Sequence, residues 1–306
     1  MTIPLYSCVT KDPINLQNQN VHIARAAFLK GKNWKNGSTI KIAFIKDSFT
    51  FNNQIIKNSG YTPDKAKWVQ KIVEKYLLPN INLSFTWDVD IQNSDVRISF
   101  VPEMGAFSEL GTDALTVPKD QTTLNLGWLD NDTDYDDIDY KNTGVVVVHE
   151  FGHLLGMIHE HQRGDSDKML EWNKPVVYKA LGAPPNSWDK ETVDSQVFTK
   201  YSVDSFNGSK FDRYSVMEYY FQDNFFINSP DLKHTKYLSN LDICWINKTY
   251  PGKPLPKGLN TDCSGTNPYG GSTELGSGND PSNKSLMIWS ITLTLIIIFF
   301  IILYLI

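Results

Sequence analysis

Residues 145–163 read VVVVHEFGHLLGMIHEHQR, and no other stretch of the chain says as much about it. It places His149, Glu150, His153, Gly156 and His159 in the pattern HExxHxxGxxH. Of the six histidines in the 306-residue sequence, four fall between positions 149 and 161. On a helix, positions i and i+4 lie one turn apart on the same face, so His149 and His153 can present two imidazoles to one metal ion. Glu150 sits about 100° further round the helix, where it can flank the ion without ligating it. Gly156 allows the left-handed backbone that ends a helix sharply, and the chain can then bring His159 in as a third ligand. Three imidazoles leave a fourth position open, which is the donor set of a catalytic zinc rather than a closed structural one. An ion held there lowers the pKa of its water to about 7, and Glu150 is placed as general base for that water. At the frequencies of His, Glu and Gly in this chain, the five fixed positions recur by chance in about one in 10⁵ chains of this length. The flanking valines and Leu154, Leu155 and Ile158 predict a buried helix, not a solvated one.

On either side of this stretch, several elements carry local signals. Thr39–Phe44 reads as a strand. Thr62 as N-cap and Pro63 at the first helical position predict a helix, with Val69, Ile72, Val73 and Tyr76 on its buried face. Leu83, Phe85, Trp87 and Val89 alternate with polar residues, and Val96, Ile98 and Phe100 do likewise, which predicts two half-buried strands. Ser239 and Asp242 read as the capping box of a last helix, closed by Pro251. The order of elements gives an α+β fold.

Composition narrows the function classes. The chain is 41% hydrophobic and 21% charged, which excludes a disordered chain. A net charge of −5 disfavours nucleic acid as a partner. Cys8, Cys244 and Cys263 are sparse and odd in number. They suggest no disulfide framework and no oxidising compartment, and Cys244 reads as a small buried hydrophobe. Six aspartates within residues 130–139 read as a solvated, self-repelling loop. His22, His161 and His234 read as surface residues, and Arg163 with Asp165 as a local ion pair of little weight.

The end of the chain has a different character. Residues 252–285 are rich in Gly, Pro, Ser and Asn and read as a flexible linker. Residues 286–306, LMIWSITLTLIIIFFIILYLI, carry no charge over a length that spans a bilayer, and read as a transmembrane helix. No basic and apolar leader opens the sequence. The expectation is a single-pass, C-terminally anchored protein whose domain faces the cytosol, on a host or a virion membrane. Residues 1–20 form an N-terminal extension and 21–251 the folded domain.

The motif resembles the zinc-binding signature of the metzincins, and its continuation through His159-Glu160-His161 to Arg163 resembles the astacin family of metalloproteases. Residues 214–219, YSVMEY, are similar to the astacin Met-turn, normally S-x-M-H-Y. The resemblance implies a two-lobed zincin domain over about residues 30–251. It assigns Met217 to the turn, and Tyr219 to the tyrosine that ligates zinc at rest and later stabilises the oxyanion. Tyr220 is a rival for that mobile role. Glu218 departs from the usual His. Residues 105–108 would be the edge strand that pairs with an extended substrate. Residues 28–31, FLKG, lack the aspartate of an astacin latency switch, so no such switch is expected. Glu160, which can bind a freed N-terminus in the family, is read here as structural.

Three functions fit the residues. The first is a membrane-anchored zinc endopeptidase acting on a peptide or protein, with one zinc on His149, His153 and His159, and Glu150 and Tyr219 as catalytic groups. The second is a catalytically inactive, zinc-stabilised interaction module displayed on a membrane. The third, zinc-dependent deacylation of a non-protein amide, uses the same chemistry.

Overall fold

The structure is a computed structural model that describes residues 28–129, 143–184, 186–207, 211–219, 221–230, 232, 238–259 and 263. The expected transmembrane helix 286–306, the aspartate run 130–139, His22, His234 and Tyr220 lie outside the described residues. So do the N-terminal extension and most of the linker. Among the described residues, no helix is long and apolar enough to cross a membrane.

A five-stranded sheet organises the upper part of the domain. Its strands are β2 (Thr39–Phe44), β5 (Ser84–Trp87), β6 (Val96–Ser99), β7 (Ala106–Ser108) and β8 (Leu124–Leu126), in the order β5-β2-β6-β8-β7. All pairs are parallel except β7 with β8, which places an antiparallel strand at one edge. β1 (Phe28–Leu29) lies outside this sheet and pairs with β9 (Phe206–Asn207), while β3 (Phe49–Phe51) and β4 (Gln54–Ile56) form a hairpin.

Helix α1 (Pro63–Tyr76) starts where the sequence predicts: the Thr62 side chain accepts from the Lys65 amide and Pro63 opens the first turn. It buries Trp68, Val69, Ile72 and Val73 and packs on α2 (Thr143–Leu154). The aromatic rings of Phe85 and Trp87 meet Phe151 of α2 at 5.9 and 6.1 Å, so the sheet, α1 and α2 share one core.

β6 corrects the half-buried reading of Val96–Phe100. All four of its residues are buried, Arg97 and Ser99 included. The strand lies between two parallel neighbours, and its second face is covered by the loop after β7. The Arg97 guanidinium pins that loop by donating to the carbonyls of Gln121 (2.7 Å), Val117 (3.0 Å) and Ala114 (3.3 Å). A side chain with five donors suits a loop of unpaired carbonyls, and alternation is lost because both faces are covered.

The lower part holds α3 (Lys174–Leu181), α4 (Lys190–Val193) and a π-helical turn at Asp194–Phe198. These pack on a separate cluster that includes Val177, Leu181, Val193, Val197, Tyr219 and Phe225. The closing helix α5 (Asn240–Thr249) has the predicted capping box, with Ser239 and Asp242 exchanging side-chain and backbone bonds. Its Leu241, Trp245 and Ile246 insert into the upper core, so it ties the two halves together.

Cys244 is not an unpaired hydrophobe. It forms a disulfide with Cys263, 19 residues on, with the Cα atoms 5.8 Å apart. The bridge fastens the start of the polar segment to α5, and Asn36 and Asn247 hold the intervening chain through the carbonyls of Pro251 (3.0 Å) and Lys253 (2.9 Å). The expectation of no disulfide is thereby corrected for Cys244 and Cys263.

Candidate metal centre

The buried face of α2 carries the first two ligands. Val147, Val148, Phe151 and Leu155 are fully buried, which fixes the helix's rotation and turns His149 and His153 towards the lower half. Gly156, at φ +100°, ends the helix. The Met157 amide donates to Gly152 (2.9 Å) and the Gly156 amide to His153 (2.8 Å), the paired bonds of a Schellman cap. The reversed chain then passes beside β1, where Leu29 donates to Gly156, and delivers His159.

The three rings converge. His149 Nε2 is 3.1 Å from His159 Nε2, and His153 Nε2 is 3.0 Å from the same atom. The His149–His153–His159 group could hold a metal ion, and all three residues are buried. Each Nδ1 faces an acceptor: Val216 O at 2.7 Å for His149, Met157 O at 2.8 Å for His153, and Gln162 Oε1 at 3.0 Å for His159. An Nδ1 opposite a carbonyl must carry the hydrogen, so each Nε2 presents a lone pair. Three lone pairs at this spacing repel one another unless a cation lies between them, and four-coordinate zinc with bonds of about 2.0–2.1 Å fits that spacing. Burial, reinforced by the neighbouring rings, keeps the imidazoles neutral: it pushes His149 down to about 4 and His153 and His159 well below the ordinary histidine value. Neutral imidazole is the form that binds metal.

Below the rings lies the turn Tyr214–Tyr219. It hangs from α5, because Asp242 accepts from Ser215 Oγ (2.7 Å) and the Val216 amide (2.9 Å), and Val216 in turn supplies the carbonyl for His149. Met217 is fully buried beneath α2. A Cβ added at Gly152 would stand 2.4 Å from the Met217 sulfur, so a larger residue there would displace the Met217 side chain. The Tyr219 ring lies 4.3 Å from that of His159 and 4.5 Å from that of His161. Glu150, directly after His149, is fully buried on α2.

His161, read from sequence as a surface residue, and Arg163, read as half of a local ion pair, are both buried here. His161 is fully buried, and its ring meets Phe221 at 5.0 Å. Arg163 is fully buried, bidentate to Asp165 (2.9 Å to both oxygens) and 3.3 Å from the Glu160 carboxylate, so it is not a weak exposed ion pair. Nothing in their spacing separates them from exposed polar residues. The lower half covers them from chain more than 30 residues further on.

Glu218 occupies the position of the usual histidine. Its Oε1 accepts from the Tyr219 amide (3.0 Å) and lies 3.6 Å from His161 Nδ1. His161 Nε2 faces Gln196 O at 3.1 Å and so carries the ring hydrogen, leaving Nδ1 an acceptor opposite a carboxyl. At 3.6 Å the two groups are not hydrogen-bonded, but a protonated, neutral carboxyl beside the neutral ring costs less to bury here than a carboxylate. Burial raises the Glu218 carboxyl to about 8, against the weaker pull of the Tyr219 amide, Lys200 and Arg163. An unfolded glutamate titrates near 4.3, so the native protein holds a proton that the unfolded chain releases in between. Stability contributed by this group is therefore present below about pH 4 and lost as pH rises towards 8. Glu218→Gln is expected to change stability little at pH 4.5 and to raise it by about 1–3 kcal/mol at pH 8. Thermal unfolding at the two pH values checks this; an equal effect at both contradicts the buried, protonated carboxyl.

A protein-family model described as Astacin, a peptidase family, matches residues 136–251. A solved structure of myroilysin is 30% identical, with a TM-score of 0.62, covering 74% of this chain and 100% of that one.

The chain belongs to the astacin family. A crystal structure of myroilysin, also 30% identical, gives a TM-score of 0.50 over 73% of this chain and 87% of that one. High choriolytic enzyme 1, a hatching-enzyme zinc-protease from the medaka fish Oryzias latipes, is 18% identical with a TM-score of 0.46, over 74% and 97%. A comparison with curated protein sequences finds no match. As an astacin the chain is a zinc metalloendopeptidase that hydrolyses peptides or proteins. It binds one zinc on His149, His153 and His159. The astacin fold accounts for the α+β architecture.

Proposed function

We propose that this astacin uses Glu150 as general base and Tyr219 as oxyanion donor, and that residues 286–306 tether it to a membrane. The observation that carries the reading is the triad of lone-pair-bearing Nε2 atoms, those of His149 and His153 within 3.1 Å of that of His159, with Glu150 in the next position on the same helix. When bound, zinc polarises the scissile carbonyl and acidifies a water. Glu150 takes a proton from the attacking water and returns it to the leaving amine. The Tyr219 phenol, held against His159 and His161, donates to the oxygen on which charge develops. Strand β7 has no further strand on its outer side among the described residues, and an extended peptide can add there by main-chain hydrogen bonds.

The inactive-module alternative needs a fourth protein ligand to close the site, and among the described residues the metal-holding group contains three. For the membrane, support comes from the uncharged run at 286–306. For the side of the membrane, the Cys244–Cys263 bridge supports an oxidising compartment around the domain, against the cytosol-facing expectation. Digestion of a peptide library by the purified protein tests the activity: internal cleavage that stops on chelation is expected, and release of terminal residues alone would contradict it. Protease protection of the domain in sealed vesicles tests its side.

A further inference from the structure

The three zinc ligands are not oriented in the same way. His149 and His153 donate to main-chain carbonyls, those of Val216 and Met157. His159 donates to a side chain, the Gln162 amide oxygen at 3.0 Å. We propose that Gln162 is a positioning residue for zinc, fixing the tautomer and direction of His159, and that the π-helical turn Asp194–Phe198 fixes Gln162. The proposal rests on the zinc site and not on the roles assigned to Glu150 and Tyr219.

An amide can face a histidine either way round, and the partner on its other side decides which. Gln162 Nε2 lies 3.3 Å from the Ser195 carbonyl, an acceptor only. The nitrogen must therefore face Ser195 and the oxygen His159. That places the hydrogen of His159 on Nδ1 and the lone pair on Nε2, towards the other two rings. Within the π-helical turn the Thr199 amide reaches back five residues to Asp194 O (2.8 Å), so it occupies neither the Ser195 nor the Gln196 carbonyl. Ser195 O meets Gln162, and Gln196 O meets His161 at 3.1 Å. The Gln162 main chain is pinned as well, its carbonyl accepting from Tyr201 at 2.8 Å. With Gln162 only 1% exposed, no water competes for the Nδ1 hydrogen. Partners that orient a metal-bound histidine typically govern metal affinity by 10–100-fold.

Zinc affinity in competition with a chromogenic chelator, measured on the full chain at pH 7, tests the proposal without recourse to activity. Gln162→Met keeps the volume and removes the acceptor; a loss of about 10–100-fold is expected. Gln162→Glu keeps an acceptor for His159 but turns its second oxygen on Ser195 O. It is expected to bind zinc at least as tightly as wild type while lowering the unfolding temperature of the zinc-free protein. Should Gln162→Met fail to fold, Gln162→Asn, whose shorter amide falls short of Nδ1, is expected to show the same loss. Met and Asn variants that both bind within twofold of wild type overturn the proposal. So do Met and Glu variants weakened to the same degree, which would mark a purely structural role. A wild-type chain that binds no zinc would instead overturn the site itself.

Discussion

Glu150→Gln is expected to retain zinc and to lower peptide hydrolysis by about 10²–10⁴-fold, the range of a positioned general base. The substitution is isosteric and leaves the three imidazoles untouched. What it removes is the carboxylate proposed as general base. Glu150 cannot take over as a ligand from its place on α2: it follows His149 by one residue, whereas the ligand pair on that helix is spaced by four. Metal analysis of the purified variant, with initial rates on a peptide substrate, separates the two properties. A variant with full zinc and a rate within tenfold of wild type would remove Glu150 from the mechanism.

His153→Ala is expected to lose both. His153 has no exposed surface, and its ring stands 4.9 Å from that of His149 and 4.4 Å from that of His159. Removing it leaves two imidazoles and a gap beneath the end of α2. Zinc binding to the native state alone stabilises wild type by about 4 kcal/mol at a thousandfold excess over Kd. The wild-type unfolding temperature should therefore rise on adding zinc, while that of the variant should stay flat and its cleavage fall to background. A variant that still gains stability from zinc would mean that the ion binds elsewhere.

Much of the site was legible in the sequence, because its signals are local. HExxHxxGxxH works through one helical turn and one left-handed glycine, and both appear as expected. The Thr62-Pro63 start of α1 and the Ser239/Asp242 box of α5 are equally local. What the sequence hid depends on distant chain. β6 alternates in residue type, yet Arg97 is buried because a loop some 20 residues on supplies carbonyls for it. His161 and Gln162 look like ordinary polar residues, and the turn at 194–198, more than 30 residues on, supplies a carbonyl to each. That turn and α3 are short and carry weak periodicity, so burial of the lower half could not be read. Cys244 and Cys263 fit no spaced motif, and only the fold of the segment after α5 brings them together.

The catalytic assignments depend on three imidazoles sharing one ion. Zinc K-edge X-ray absorption on the purified protein reads that shell without recourse to activity. Three imidazole nitrogens at about 2.0–2.1 Å, completed by oxygen and without sulfur, are expected. A shell with sulfur, or with fewer than three histidines, would contradict it.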